Sequence, residues 1–171
     1  YARSISMFRK GDTKNAIPII DSLIRDIPEN PYFWELKGQA LLEGGAPAKA
    51  LASLRQANKL LPNSGLIQIL YAQALIATED RANIKHALHL LTLAKKTERD
   101  SVDVYKYSAL AYGYLNDLPR AELATAEMAM MQGDTALASE KAKRVIGQFK
   151  HGSPEWMKAN DVLNFTSKER N

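Results

Sequence analysis

Residues 30–63 read NPYFWELKGQALLEGGAPAKALASLRQANKLLPN. One apolar-periodic segment runs from Tyr32 to Leu42 and a second from Ala48 to Leu61, with Gly44-Gly45 between them and Pro62 closing the second. Apolar residues at helical spacing on both sides of a glycine break predict two helices joined by a turn. Gly38 and Ala50 lack bulk, which lets the two helices approach closely, while Trp34, Leu41 and Leu54 fill the volume around that contact. Pro62 has no amide hydrogen and cannot continue the second helix.

Trp34, Gly38, Leu41, Gly45, Ala50, Leu54, Ala57 and Pro62 stand at the offsets of the tetratricopeptide (TPR) signature, and the run resembles one such repeat of about 34 residues. Lys37 departs from it, where the family usually carries leucine. Shifting back by one repeat places Gly11, Ala16, Ile20 and Pro28 on Gly45, Ala50, Leu54 and Pro62, so residues 1–29 read as a repeat without its first residues. Asp12 is the expected cap of its second helix.

Shifting forward, Gly65 to Asp80 reads as a first helix with Leu66, Ile69, Leu70 and Ile76 at helical spacing. Ala87 arrives three positions late, which predicts an insertion in the turn at 79–83 with Thr78, Asp80 or Asn83 as cap. Arg99 stands where the closing proline belongs. This unit spans about 64–100. The next, about 101–132, has a first helix over 101–115, a turn at Asn116-Asp117 and a second helix with Pro119 in its first turn.

Gly133, Asp134 and Ala138 then fit the turn and second helix of a further unit, so residues 118–152 form a degenerate repeat that shares a helix with its predecessor. That helix, small or apolar nearly all round, should be covered on two sides. Ser153-Pro154-Glu155 starts a capping helix over about 153–166, with no partner helix of its own. The expected fold is all-α: a single TPR-type right-handed superhelix of about ten antiparallel helices.

Composition fits this. The chain has 171 residues, 46% hydrophobic and 25% charged, with net charge +4 and no cysteine. No apolar run nears the ~18 residues that span a membrane, so direct membrane insertion is not expected. No basic run resembles a nucleic-acid stripe, and no nucleic-acid partner is expected. The sequence starts at Tyr1 inside a helical pattern, which suggests a piece of a longer protein.

Chemistry is sparse. His86 and His89, three apart on a helix, lack a third ligand at metal-site spacing and are expected to be a solvated pair. His151 reads as punctuation at a helix end. Glu122, Glu127 and Glu140 are expected on solvated helix surfaces, with no nucleophile and base spaced for catalysis.

The TPR resemblance implies binding by a concave groove lined by the first helices of each repeat. The positions that carry over are Tyr1, Ile5, Phe8, Tyr32, Glu35, Gln39, Leu42, Leu66, Ile69, Gln73, Ile76, Leu110 and Tyr114. Chaperone-binding members clamp a terminal carboxylate with Lys and Asn. Tyr1, Ile5, Leu66 and Leu70 stand there instead, so that clamp is not expected. An apolar groove implies a protein or peptide occupant, or the chain's own late helices.

A narrower resemblance covers nearly the whole chain. The opening 45 residues through NPYFWELKGQALLEGG, then YAQALIATED, AELATAEMAMMQGDTALASEKAKR and GSPEWMKANDVL are similar to the C-terminal array of bacterial BepA-type zinc metallopeptidases. The resemblance implies a periplasmic, substrate-recruiting or regulatory TPR domain in envelope protein quality control. Its partners would be its own catalytic domain, outer-membrane protein clients or assembly machinery. Zinc would belong to the parent's catalytic domain, with no cofactor or catalytic residue in these 171 residues. The alternative is a stand-alone scaffold in secretion or envelope assembly.

Overall fold

The computed structural model describes residues 13–168, all of its regular structure helical. The chain divides into two compact units, the first extending to Glu98 and the second beginning at Arg99. The helix expected over the first ten residues, the Gly11 turn and the Asp12 cap lie outside the described residues.

The first unit contains α1 (Thr13–Asp26), α2 (Pro31–Glu43), α3 (Pro47–Leu60), α4 (Gly65–Ile76) and α5 (Arg81–Ala94). Helices α2 and α3 form one antiparallel pair and α4 and α5 the next, with α4 also packed on α3. The glycine break acts as expected. Gly45 has φ +75°, a left-handed conformation that costs glycine nothing, and Pro47 then occupies the first turn of α3. Gly38 sits directly under Leu54: a Cβ there would land on Leu54 Cγ and lie 2.5 Å from its Cδ2. Ala50, Leu54 and Ala57 are buried on the opposing helix. Ala16, Ile20 and Ile24 of α1 close a cluster with Phe33 and Ala40 of α2, and Trp34 and Leu36 pack against it.

Two polar contacts repeat with the fold. Trp34 Nε1 donates to the carbonyl of Pro28 at 2.7 Å, and Gln68 Nε2 donates to the carbonyl of Pro62, also at 2.7 Å. Donors and acceptors are each one repeat apart. In both cases the fourth residue of a first helix ties itself to the loop that closes the preceding repeat, satisfying a loop carbonyl that the helix cannot use. Lys37, the departure from the signature, reaches back to Asp21 of α1 at 2.7 Å. A leucine at this position would lack that pairing. Among the three residues expected to cap α5, Asp80 does so, accepting from Asn83 N at 2.9 Å, while Asn83 Nδ2 donates to Thr78 Oγ1.

The second unit contains α6 (Val102–Tyr114), α7 (Leu118–Met131), α8 (Thr135–Val145) and α9 (Pro154–Lys168). The helix α7 packs on α6, on α8 and on α9. Its buried residues are Leu123, Ala124, Ala126 and Ala129, so small side chains permit cover from several sides at once. Asp117 and Asp134 cap α7 and α8 by accepting from Arg120 N and Leu137 N. The helix α8 is shorter than its periodicity suggests. It ends at Val145 and tightens into a 3-10 turn over Ile146–Gln148. The capping helix does have partners: Ala159 and Val162 are buried, and α9 packs on both α8 and α7.

Candidate functional site

In the first unit the candidate surface is built from α2 and α4, first helices of consecutive repeats that touch each other. Tyr32 and Leu66 occupy equivalent positions one repeat apart, and both are open to solvent, at 54% and 62%. Leu42 is half-buried, and Gln39 donates to Glu43 at 3.0 Å across one helical turn. Gln73 is half-buried on α4.

The expected apolar strip is shortened at two places. Ile69 is 7% and Ile76 2% exposed, so neither points away from the core as the repeat spacing suggests. The helix α4 is apolar nearly all round (GLIQILYAQALI), and a helix of that kind is buried over most of its surface, here with Leu66 left open at its start. Position in the repeat assigns these residues a direction, but composition decides their burial. Tyr1, Ile5 and Phe8 lie outside the described residues. In the second unit, Leu110 and Tyr114 are exposed on α6, where Lys106 pairs with Asp103 at 3.8 Å.

Glu35 stands on the same turn of α2 as Tyr32 and is half-buried. Burial holds its carboxyl above the usual value because the charged form loses hydration. A folded-state pKa above the unfolded one means the folded protein binds more protons in that window. The group's contribution is therefore most favourable at low pH and declines as pH rises through the ordinary carboxylate range and above it. Glu35→Gln is expected to gain in melting temperature over the parent as pH goes from 4 to 7. A constant difference across that range would show that Glu35 is hydrated in the folded protein.

The histidines are exposed. His86 sets its ring edge against Tyr71 at 5.4 Å, and His151 lies 4.2 Å from Trp156. Among the described residues no group of three His, Cys, Asp or Glu is placed to hold a metal. Glu122 is not simply solvated: it receives Lys141 Nζ at 3.1 Å and Arg144 at 3.5 Å, a cluster that joins α7 to α8. Arg144 also pairs with Glu140 at 2.6 Å.

A cavity of about 370 Å³ opens in the second unit beside Asp117, Arg120, Phe149, Lys150, Ser153 and Glu155. Sequence reasoning missed its key residue. Arg120 donates to Asp117 at 2.7 Å and to Glu155 at 2.9 and 3.1 Å, so all three guanidinium nitrogens are engaged. Its own backbone amide and the Arg120 guanidinium hold the Glu155 carboxyl below its usual range. The arrangement fastens the start of α7 to the start of α9, 35 residues away.

The helix–turn–helix pair with a glycine under a leucine is followed one repeat later by the same loop carbonyl contact, the geometry of a repeat array. The model of the cytochrome c-type biogenesis protein H TPR domain matches residues 20–135. The chain belongs to this TPR family. No curated protein matches the sequence. Among solved structures, MamA 41-end from Desulfovibrio magneticus RS-1 is 17% identical with a TM-score of 0.72, over 99% of this chain and 92% of that one. The MamA RS-1 ArsTM double mutant gives 16% and 0.72, over 99% and 93%. TTC0263, a thermophilic TPR protein in Thermus thermophilus, gives 16% and 0.59, over 95% and 96%. At these identities the likeness concerns the fold. The all-α TPR architecture and a role as a protein-interaction module follow from the family.

Proposed function

We propose that this TPR module serves envelope protein quality control in the bacterial periplasm, as the substrate-recruiting or regulatory C-terminal array of a zinc metallopeptidase. The observation that carries a binding role is the pair Tyr32 and Leu66, large apolar side chains kept open at the same place on consecutive first helices beside the half-buried Glu35. Aromatic anchors such as Tyr32 are enriched among the residues that dominate protein recognition, and Leu66 extends the apolar surface beside the same groove. The parentage is supported by sequence, through NPYFWELKGQALLEGG, the shared-helix segment AELATAEMAMMQGDTALASEKAKR and GSPEWMKANDVL. Zinc would be supplied by the parent's catalytic domain. The partners are that domain, an outer-membrane protein client or assembly machinery.

A stand-alone scaffold in secretion or envelope assembly is the second reading. It is favoured by the family match. The parent reading frame separates the two, since an upstream H-E-x-x-H motif belongs to the first alone.

The binding test is a pull-down with the separately expressed catalytic domain and with unfolded outer-membrane protein. Tyr32→Ser combined with Leu66→Ser is expected to weaken capture about tenfold or more, since each buried side chain contributes about 1.5–3 kcal/mol, and to leave the thermal melt unchanged. Undiminished capture of both baits would place the binding surface elsewhere.

A further inference from the structure

The helices α3 and α5 are the second helices of consecutive repeats. Residues 47–60 and 81–94 contain Lys49, Arg55, Lys59, Arg81 and Lys85, and not one aspartate or glutamate. All five cations are exposed. Among the described residues none of them forms an ion pair. Carboxylates flank α5 at its ends, with Glu79 and Asp80 before it and Glu98 after it.

The two helices meet at one residue of the helix between them, Tyr71 of α4. Arg55 of α3 donates from Nε to the hydroxyl of Tyr71 at 3.4 Å, and His86 of α5 stands edge-on against the same Tyr71 ring at 5.4 Å. Burial first, then the charges of His89 and Arg55, hold His86 below its usual value, so the field of one helix reaches the other. No short run of sequence displays this patch. Its cations come from segments more than 20 residues apart, on two helices that both reach Tyr71 of α4.

The same face lacks what protein interfaces use. Of the large hydrophobic side chains that are exposed among the described residues, none lies on α3 or α5. The other exposed positions of the two helices are occupied by Ala48, Ala52, Ala82, His86, His89 and Thr92. Interface cores are enriched in aromatics, methionine and arginine and depleted in lysine and alanine, and three of these five cations are lysines set among alanines. A face of lysine, arginine, histidine and alanine has charge to offer and no large apolar anchor to insert, which suits a layer of anionic headgroups.

We propose that the α3–α5 face of the first unit adsorbs to an anionic lipid surface through headgroup contacts alone, without insertion. The preference for lipid over nucleic acid rests on the envelope placement proposed above. The preference for lipid over an acidic protein rests on the missing apolar anchors. Adsorbed in this way, the unit would keep Tyr32 and Leu66 on its first helices available to a protein.

The test is co-sedimentation of the whole chain with vesicles of phosphatidylcholine mixed with phosphatidylglycerol, whose anionic headgroups give a negative surface potential. Binding is expected to the mixed vesicles and not to pure phosphatidylcholine, and to be lost at high salt because exposed charges are screened. Each cation near such a surface contributes a factor of about five, so Lys49→Gln, Lys59→Gln and Lys85→Gln together should weaken binding about a hundredfold. A charge-matched variant of the second unit, Lys143→Gln, Lys158→Gln and Lys168→Gln, should lose far less. Circular dichroism melts of both variants confirm that each is folded. Equal losses in the two variants would reduce the effect to net charge and overturn the proposal. So would equal binding to neutral vesicles. Retention on polyglutamate that depends on Lys49, Lys59 and Lys85, with no vesicle binding, would overturn it in favour of an acidic polypeptide. Failure of the Tyr32 and Leu66 pull-down leaves this result untouched, so the two readings fail separately.

Discussion

Leu54→Ala is expected to lower the unfolding free energy by about 2–5 kcal/mol, the range for emptying a buried leucine site. Leu54 is 0% exposed and lies over Gly38, with no side chain from that position to fill the space. The more telling variant is Gly38→Ala. In the parent protein the added Cβ meets Leu54 head-on, and overpacking of this kind costs about 1–3 kcal/mol. Against that stands a helix-propensity gain of about 1 kcal/mol for alanine over glycine. With Leu54 already alanine, the clash is gone and the gain remains. Gly38→Ala should therefore change sign, destabilising the parent and stabilising the Leu54→Ala protein by up to about 1 kcal/mol. Urea melts of the four proteins measure this cycle. An effect of Gly38→Ala that is the same in both backgrounds would mean that residues 38 and 54 do not touch in solution.

The second large effect is expected at Ile69. Repeat spacing places it on the open side of α4, whereas the folded chain buries it. Ile69→Ser removes a buried side chain and introduces a hydroxyl, for a loss of about 3–5 kcal/mol and a clearly lower melting temperature. Tyr32→Ser on the neighbouring first helix should leave the melt where it is. If Ile69→Ser melts like the parent and only partner capture falls, the cover over Ile69 is open in solution and the long apolar strip is restored.

The fold is largely legible in the sequence because it rests on contacts between residues close along the chain. Gly38, Ala50, Leu54 and Pro62 state the helix pair in one run, and shifting by a repeat finds the next pair. The cap at Asp80 and the turn glycine at Gly45 are equally local. What escapes is whatever needs two distant segments at once. The ion pair of Lys37 with Asp21, the Glu122 cluster and the Arg120 clamp all join residues on different helices, where side-chain reach decides the partner. Trp34 reads as bulk, but its indole nitrogen also holds a loop carbonyl, and only the recurrence at Gln68 shows that this is a device of the repeat. Ile69 and Ile76 are misplaced for another reason. A repeat register says which way a side chain points and nothing about what covers it. The near-uniform apolarity of α4 holds the missing information.

The helix α7 has a consequence for how such an array can be altered. Because it packs on α6, α8 and α9 together, the second unit contains no joint at which one repeat ends and the next begins. Excising residues 132–168 would strip Ala126 and Ala129 of the cluster they form with Ala138, Ala142 and Val162. Excising the α6–α7 pair would leave α8 and α9 with only each other to lie on. Modules can be inserted, deleted or exchanged between the helix pairs of the first unit, where the seams fall between α3 and α4. Helices α6 to α9 are transplantable only as a block, and hydrogen exchange should find them opening as one cooperative unit rather than repeat by repeat.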